Sequence, residues 1–181
     1  VDDDALGDFK SASAIKVSAL DQLKHSLYVG SFSKSVSAAL RVGFIAGSKD
    51  VIDELGDVKM LLHTSTSEFC ERTVDVMLDE GHFLRHLVRL QDRLRAATTA
   101  GLQMLDEIGA QVFARPEQSL YLWARFAHID DARELTRELL PKGFMIAPGH
   151  IFSPEQSRVS PWTRLNVAYL NDPLLKAVLT R

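Results

Sequence analysis

The sequence predicts an α/β protein, on three observations. A strand, a Gly-Ser turn carrying a lysine and a second strand follow one another through "HSLYVGSFSKSVSAALRVGFIAG". A stripe of apolar residues at steps of three and four then runs from Phe83 to Ile108. Beyond it, strand-like and helix-like segments alternate to the last residue, as expected of helices layered on a sheet.

The elements read in order as follows. "VDDDALGDF" has the character of a strand end running into a loop, and "IKVSAL" alternates like a strand. "HSLYVGSFS" reads as a short strand entering the Gly-Ser turn that carries the lysine, and "LRVGFIAG" as a second strand closed by Gly47. "SKDVIDELGDVKMLLHTS" is a helix with Ser48 as N-cap, and "SEFCERTVDVMLDEG" a second helix ended by Gly81. Phe83, Leu87, Leu90, Leu94, Ala97, Gly101, Leu105 and Ile108 then form one face of a long amphipathic helix, about seven turns at 3.6 residues each. The stripe weakens at Ala97 and Gly101, which favours packing within the chain over a coiled coil. "SLYLWARF" (strand), "DDARELTRELLPKG" (helix), "FMIAPG" (strand) and "TRLNVAYL" (strand) follow. "DPLLKAVL" closes the chain as a helix, with Asp172 as N-cap and Pro173 at its first position. Tyr121 and Trp123, alternating within their strand, are expected in the core.

Composition narrows the function classes. A hydrophobic content of 46% and a charged content of 25% describe an ordinary globular chain of 181 residues, long enough to bury a core. The net charge of -3 offers no electrostatic footprint for nucleic acid. No apolar run approaches the ~20 residues that span a bilayer. The single cysteine, Cys70, fits a small apolar helix position and a reducing, cytoplasmic setting. The six histidines are scattered; only His82 and His86 share i, i+4 spacing, and both read as solvent-facing on the long helix, so no metal site is expected. His150 reads as a surface loop residue.

Four features carry chemistry together: the acidic run Asp2-Asp3-Asp4, the Ser31/Ser33/Lys34 turn, Arg41, and Arg164 inside a strand. Singly, each has an ordinary reading as solvated loop or structural ion pair. In combination they are what pyridoxal 5'-phosphate chemistry requires. A lysine amine forms a Schiff base with the aldehyde. Hydroxyls and an arginine fork hold the phosphate. A carboxylate keeps the pyridine nitrogen protonated so that the ring can take up electrons. A second arginine orients the substrate carboxylate.

The segment "SFSKSVSAALRVGFIAG" resembles the cofactor-lysine segment of class I/II aminotransferases of the aspartate aminotransferase fold, closest to the aminoadipate type and to the aminotransferase-like domains of MocR-type regulators. The resemblance implies Lys34 as Schiff-base lysine and Ser31 and Arg41 as phosphate ligands. Through "VDDDALGDF" it implies Asp3 as partner of the pyridine nitrogen, and through "TRLNVAYL" Arg164 as the substrate clamp; "FMIAPGHIF" resembles the small-domain strand and its Pro-Gly loop. It further implies a partial large-domain sheet over residues 1–80, a small α+β domain over 81–181, amino acid and 2-oxo acid substrates, and a homodimer. Leu6 stands where the family has a tyrosine that hydrogen-bonds the cofactor. The family's glycine-rich phosphate turn, stacking aromatic and asparagine precede the Asp strand. Without them the 181 residues carry half a cofactor site and are expected to be a fragment, inactive alone. Two functions follow as expectations: amino-group transfer between an amino acid and a 2-oxo acid, or the effector-binding half of a regulator whose DNA contacts belong to an upstream domain.

Overall fold

The computed structural model describes residues 1–10 and 14–180. The chain divides into two compact units, Val1–Leu90 and Gln91–Arg181.

The first unit is built on a three-stranded sheet of order β1-β2-β3, with β1 Asp2–Asp3, β2 Tyr28–Ser31 and β3 Gly43–Ala46. β1 lies parallel to β2, pairing Asp3 with Val29; β3 returns antiparallel, pairing Gly43 with Ser31. "IKVSAL" is not a strand. Residues Val17–Asp21 form a short helix, α1, because the Asp2 carboxylate accepts from the Ser18 N–H (3.1 Å) and hydroxyl (2.9 Å). A tertiary contact thus satisfies the first turn of a segment whose alternation suggested extension.

Helix α2, Lys49–His63, starts after Ser48 as its sequence indicates, although the serine side chain makes no capping bond. In α3, Glu68–Asp79, Ser67 does cap, accepting from the Cys70 N–H; Gly81 follows with φ +66°, a left-handed turn that glycine adopts without strain. Cys70 is half-buried rather than enclosed. Helix α4, His82–Glu107, realises the long stripe, with Phe83, Leu94, Gly101 and Leu105 all buried.

The second unit holds an antiparallel sheet of order β4-β5-β7-β6: β4 Gln111–Val112, β5 Tyr121–Arg125, β6 Ala147–Pro148 and β7 Trp162–Asn166. Its buried face carries Leu122, Ala124, Thr163 and Leu165. Helix α4 crosses it at close range: a Cβ on Gly101 would stand 2.8 Å from Leu170 and 3.6 Å from Leu122. The weak point of the stripe is therefore the point of nearest approach. Thr98, fully buried on α4, accepts from the Ser119 N–H (3.1 Å) and donates to the Leu94 carbonyl (2.7 Å), fixing the entry to β5. Helices α5, Ala132–Leu139, and α6, Pro173–Leu179, complete the layer, capped by Asp131 and Asp172. No helix among the described residues is long and apolar enough to cross a membrane.

Tyr121 and Trp123 are not core. They lie half-buried on the outer face, because β5 is apolar on both faces and its buried positions are Leu122 and Ala124. Alternation alone gives the period, not which face turns inward.

One buried charge cluster organises the first unit. The Asp4 carboxylate pairs with Lys10 and with Lys16 (2.9 Å), and accepts from the Tyr28 hydroxyl (3.1 Å). Burial pushes the Asp4 carboxyl upward, but the bonds from Lys10, Lys16 and Tyr28 together outweigh it and hold the pKa at about 2. A carboxyl depressed below its ordinary 3.8 stabilises the fold above that pH, and the contribution is lost as pH falls toward 2. We expect Asp4→Asn to cost about 2 kcal/mol at pH 7, with parent and variant converging near pH 2. Urea unfolding across that range measures it; a pH-independent difference would show that the charge carries none of the effect.

Candidate functional site

The parallel pairing of β1 and β2 aligns their carboxyl ends, the edge of an α/β sheet at which ligands bind. Asp3 ends β1 and Ser31 ends β2; Lys34 follows in the next turn, and Arg41 lies two residues before β3 returns from that same edge. The topology thus gathers these four predicted residues at one end of one sheet.

The lysine turn is tightly built. Val36 N–H donates to the Phe32 carbonyl (2.8 Å), and Phe32 N–H to the Val42 carbonyl (3.1 Å), closing the loop. The Phe32 ring packs against Phe44 and edge-on against Phe83, with centroids 5.7 and 5.6 Å away. Ser35 is buried, and its carbonyl accepts from His86 Nε2 at 2.8 Å. His86 is therefore half-buried and structural, in contrast to His82, which is exposed as expected. Lys34, between these two anchors, is exposed, and its amine has no ion pair or hydrogen bond among the described residues.

The other groups at this edge are equally uncommitted. Asp3 is exposed and, among the described residues, accepts only from the Ala5 N–H (3.3 Å). Ser31 Oγ accepts from the Ser33 N–H (3.2 Å), leaving its own proton free to donate. Arg41 is exposed, without an ion pair among the described residues, and sits at φ +55°. A left-handed backbone at a long side chain costs about 1–2 kcal/mol, the kind of strain that collects at binding sites. Ser35 Oγ is buried without a partner among the described residues, an orphaned donor one residue from the lysine. An amine, a guanidinium and a carboxylate without ion pairs among the described residues, with the Ser31 hydroxyl free to donate, form a set that fits a phosphorylated pyridine aldehyde. Leu6, at the position of the family's tyrosine, is at the surface and offers no hydrogen bond from its side chain.

A cavity of about 490 Å³ lies in the same unit, lined by Asp4, Tyr28, Ser31, Phe32, Phe44 and Phe83 among others. Arg164 belongs to the second unit, on the outer face of β7. Its guanidinium carbon lies over the rings of Tyr121 (4.3 Å) and Phe152 (5.0 Å), and it has no ion pair among the described residues. His150, in the 3-10 turn Gly149–Phe152, is half-buried rather than a surface residue, with Nδ1 enclosed and unpartnered. No three metal-ligating side chains cluster among the described residues.

Sequence reasoning missed the His86 clamp and the Asp4 cluster. His86 carried a signal in its spacing, three residues from the buried Phe83 and so on the same face of α4. Nothing in the sequence distinguished the buried Asp4 from its acidic neighbours.

A carboxyl-end lysine turn on a partly parallel sheet, followed by a separate α+β unit, is the arrangement of fold-type I aminotransferases, and solved structures of these superpose on the chain. The α-aminoadipate aminotransferase LysN of Thermus thermophilus matches with a TM-score of 0.81 at 23% identity, over 97% of this chain and 48% of that one. The kynurenine aminotransferase of Pyrococcus horikoshii matches with a TM-score of 0.81 at 21% identity, over 95% and 43%. The chain belongs to the family aminotransferase class I and II, which it matches over residues 2–181. Among curated proteins it is similar to the HTH-type transcriptional regulator NorG of Staphylococcus aureus, 27% identical over 99% of this chain and 40% of that protein. It is also similar to YisV of Bacillus subtilis, described as an uncharacterized HTH-type transcriptional regulator, 29% identical over 86% and 33%. The chain thus spans about a third to two fifths of the length of these relatives.

The left-handed Arg41 gives a test. Arg41→Gly removes the steric cost, so we expect thermal stability to hold or to rise by up to about 1 kcal/mol, net of the greater entropy glycine loses. A lower melting temperature would mean that the guanidinium is a structural tie.

Proposed function

We propose that residues 1–80 are the C-terminal part of a cofactor-holding large domain and 81–181 its small domain, acting in pyridoxal-phosphate-dependent amino-group transfer between an amino acid and a 2-oxo acid. The observation that carries this reading is the set of unpaired charges, Asp3, Lys34 and Arg41, at the shared carboxyl edge of β1 and β2. When bound, pyridoxal 5'-phosphate supplies an aldehyde open to amine attack and a ring that accepts electrons. Lys34 would hold that aldehyde covalently, give way to the substrate amine, and then move the proton at the substrate Cα as base and acid. Arg41 and Ser31 would anchor the phosphate, Asp3 would bind the protonated ring nitrogen, and Arg164 would take the substrate carboxylate. A homodimer and a cytoplasmic setting accompany the reading, as the family implies.

A second reading is favoured by the relatives. NorG and YisV carry names of HTH-type transcriptional regulators and extend well beyond the matched region. In that reading the same residues bind cofactor and an amino compound as an effector, and an HTH domain elsewhere in the protein meets DNA.

The test uses the protein expressed from its full reading frame. Borohydride reduction after loading with pyridoxal phosphate should place the mass label on the peptide containing Lys34, and Lys34→Ala should abolish both label and transamination. A label on another lysine, or turnover by Lys34→Ala, would discard the assignment. A Lys34 label without turnover of any amino donor would select the regulator.

A further inference from the structure

Residues 33–41, the loop that joins β2 to β3, are held mostly by their own backbone. The Phe32 N–H closes the neck on the Val42 carbonyl (3.1 Å), and the Val36 and Ser37 N–H groups both donate to the Phe32 carbonyl (2.8 and 3.2 Å). Ala39 and Leu40 bond locally to Ser37. Among the described residues, a single side-chain hydrogen bond ties this loop to anything beyond β2 and β3. It comes from His86 on α4, 51 positions from its acceptor, Ser35.

That bond has a defined polarity. A carbonyl oxygen only accepts, so His86 Nε2 carries the hydrogen and donates to the Ser35 carbonyl at 2.8 Å. Water competes little for it, since Ser35 is 2% exposed and His86 is half-buried. Ser35 Oγ has no partner among the described residues, so the carbonyl rather than the hydroxyl is the polar group through which Ser35 is held.

One planar peptide joins Lys34 to Ser35, so the seat of Ser35 sets where the lysine stem begins. Beyond that point the side chain is an exposed, flexible four-carbon stem, with no ion pair or hydrogen bond among the described residues to direct it. Its reach toward a reacting atom is decided at the backbone, where a misplacement of ~1 Å can cost ~100-fold in rate.

We propose that His86 is a positioning residue for Lys34: its bond to the Ser35 carbonyl sets the reach of the amine toward an aldehyde seated at the carboxyl edge of β1 and β2. The role rests on the reading above of Lys34 as the covalent lysine. His82, one turn earlier on α4, is the natural contrast, because its ring bonds Glu80 (2.8 Å) and Arg85 (2.7 Å) and not the loop.

The protein expressed from its full reading frame is compared with His86→Leu, which keeps bulk without a donor, and His86→Gln, whose amide N–H can stand near the place of Nε2–H. Without cofactor, amide hydrogen exchange over residues 33–37 should speed up about tenfold in His86→Leu and return to the parent rate in His86→Gln. With pyridoxal phosphate, the initial rate of borohydride-fixed labelling at Lys34 should fall about tenfold in His86→Leu and recover in His86→Gln. His82→Ala should match the parent in both. Methylation of Lys34 by formaldehyde and cyanoborohydride, which needs no second contact, should proceed equally in every variant. Should His86→Leu fail to fold, His86→Asn, the same amide one methylene shorter, is set against His86→Gln instead. Parent-rate exchange or labelling in His86→Leu, or a His86→Gln as impaired as His86→Leu, would overturn the proposal. So would slowed methylation, which would place the effect on the reactivity of the amine rather than its reach. A parent whose Lys34 takes no label would remove the aminotransferase reading and the role together. A labelled Lys34 indifferent to His86 would remove the role alone.

Discussion

The first unit depends on how the turn carrying Lys34 is pinned. Phe32 on one side is wedged between Phe44 and Phe83, and Ser35 on the other has its carbonyl tied to His86. Two contacts from one face of α4 thereby fix the residues flanking the lysine without touching the lysine. Holding a backbone at both neighbours restricts where the amine can reach while leaving its charge uncompensated. For the covalent role proposed for Lys34 that would be the useful combination: a defined base for the side chain and no counter-ion to displace.

Three consecutive aspartates meet different fates. Within β1 the side chains of Asp2 and Asp3 alternate, Asp2 half-buried and Asp3 exposed, and Asp4, just past the strand, is buried. Asp2 caps α1 through Ser18, and Asp4 collects Lys10, Lys16 and Tyr28. The Tyr28 hydroxyl and the Asp4 carboxylate in turn raise the Lys16 pKa, so the Asp4–Lys16 pair is ionised throughout the physiological range. Asp3, facing away, stays free of cations. A run that looks uniform in the sequence thus divides into two structural anchors and one available carboxylate.

This division marks the limit of what the sequence discloses. Helices α2 to α6 were legible because the apolar period and, at α3, α5 and α6, the cap chemistry are local. The strands at 28–31 and 43–46 were legible from turn residues. Segment 15–20 was misread because its helix is completed by Asp2, a partner remote in sequence that no local pattern signals. Trp123 and Tyr121 were misassigned to the core because β5 is apolar on both faces, and only the docking of α4 at Leu122 selects one. In the candidate site Lys34, Ser31 and Arg41 stood out through residue type and spacing. The His86 clamp and the buried Asp4 did not, since both depend on packing across many residues.

Lys34 in the first unit and Arg164 in the second are each positioned without an ion pair among the described residues. Most charged side chains that pair do so at the surface with a neighbour in sequence, as Lys49 does with Asp53 and Lys142 with Glu138. Such pairs contribute little to stability, yet each occupies the donors of its cation. Lys34 is positioned by backbone and aromatic contacts of its neighbours, and Arg164 by the faces of Tyr121 and Phe152. Apolar and main-chain contacts fix direction without neutralising charge. A carboxylate partner would have fixed direction too, but an incoming anion would then have had to compete with it. Positioning a cation by stacking and by its flanking residues keeps its full attraction available for a ligand, and this is the arrangement found at Lys34 and at Arg164.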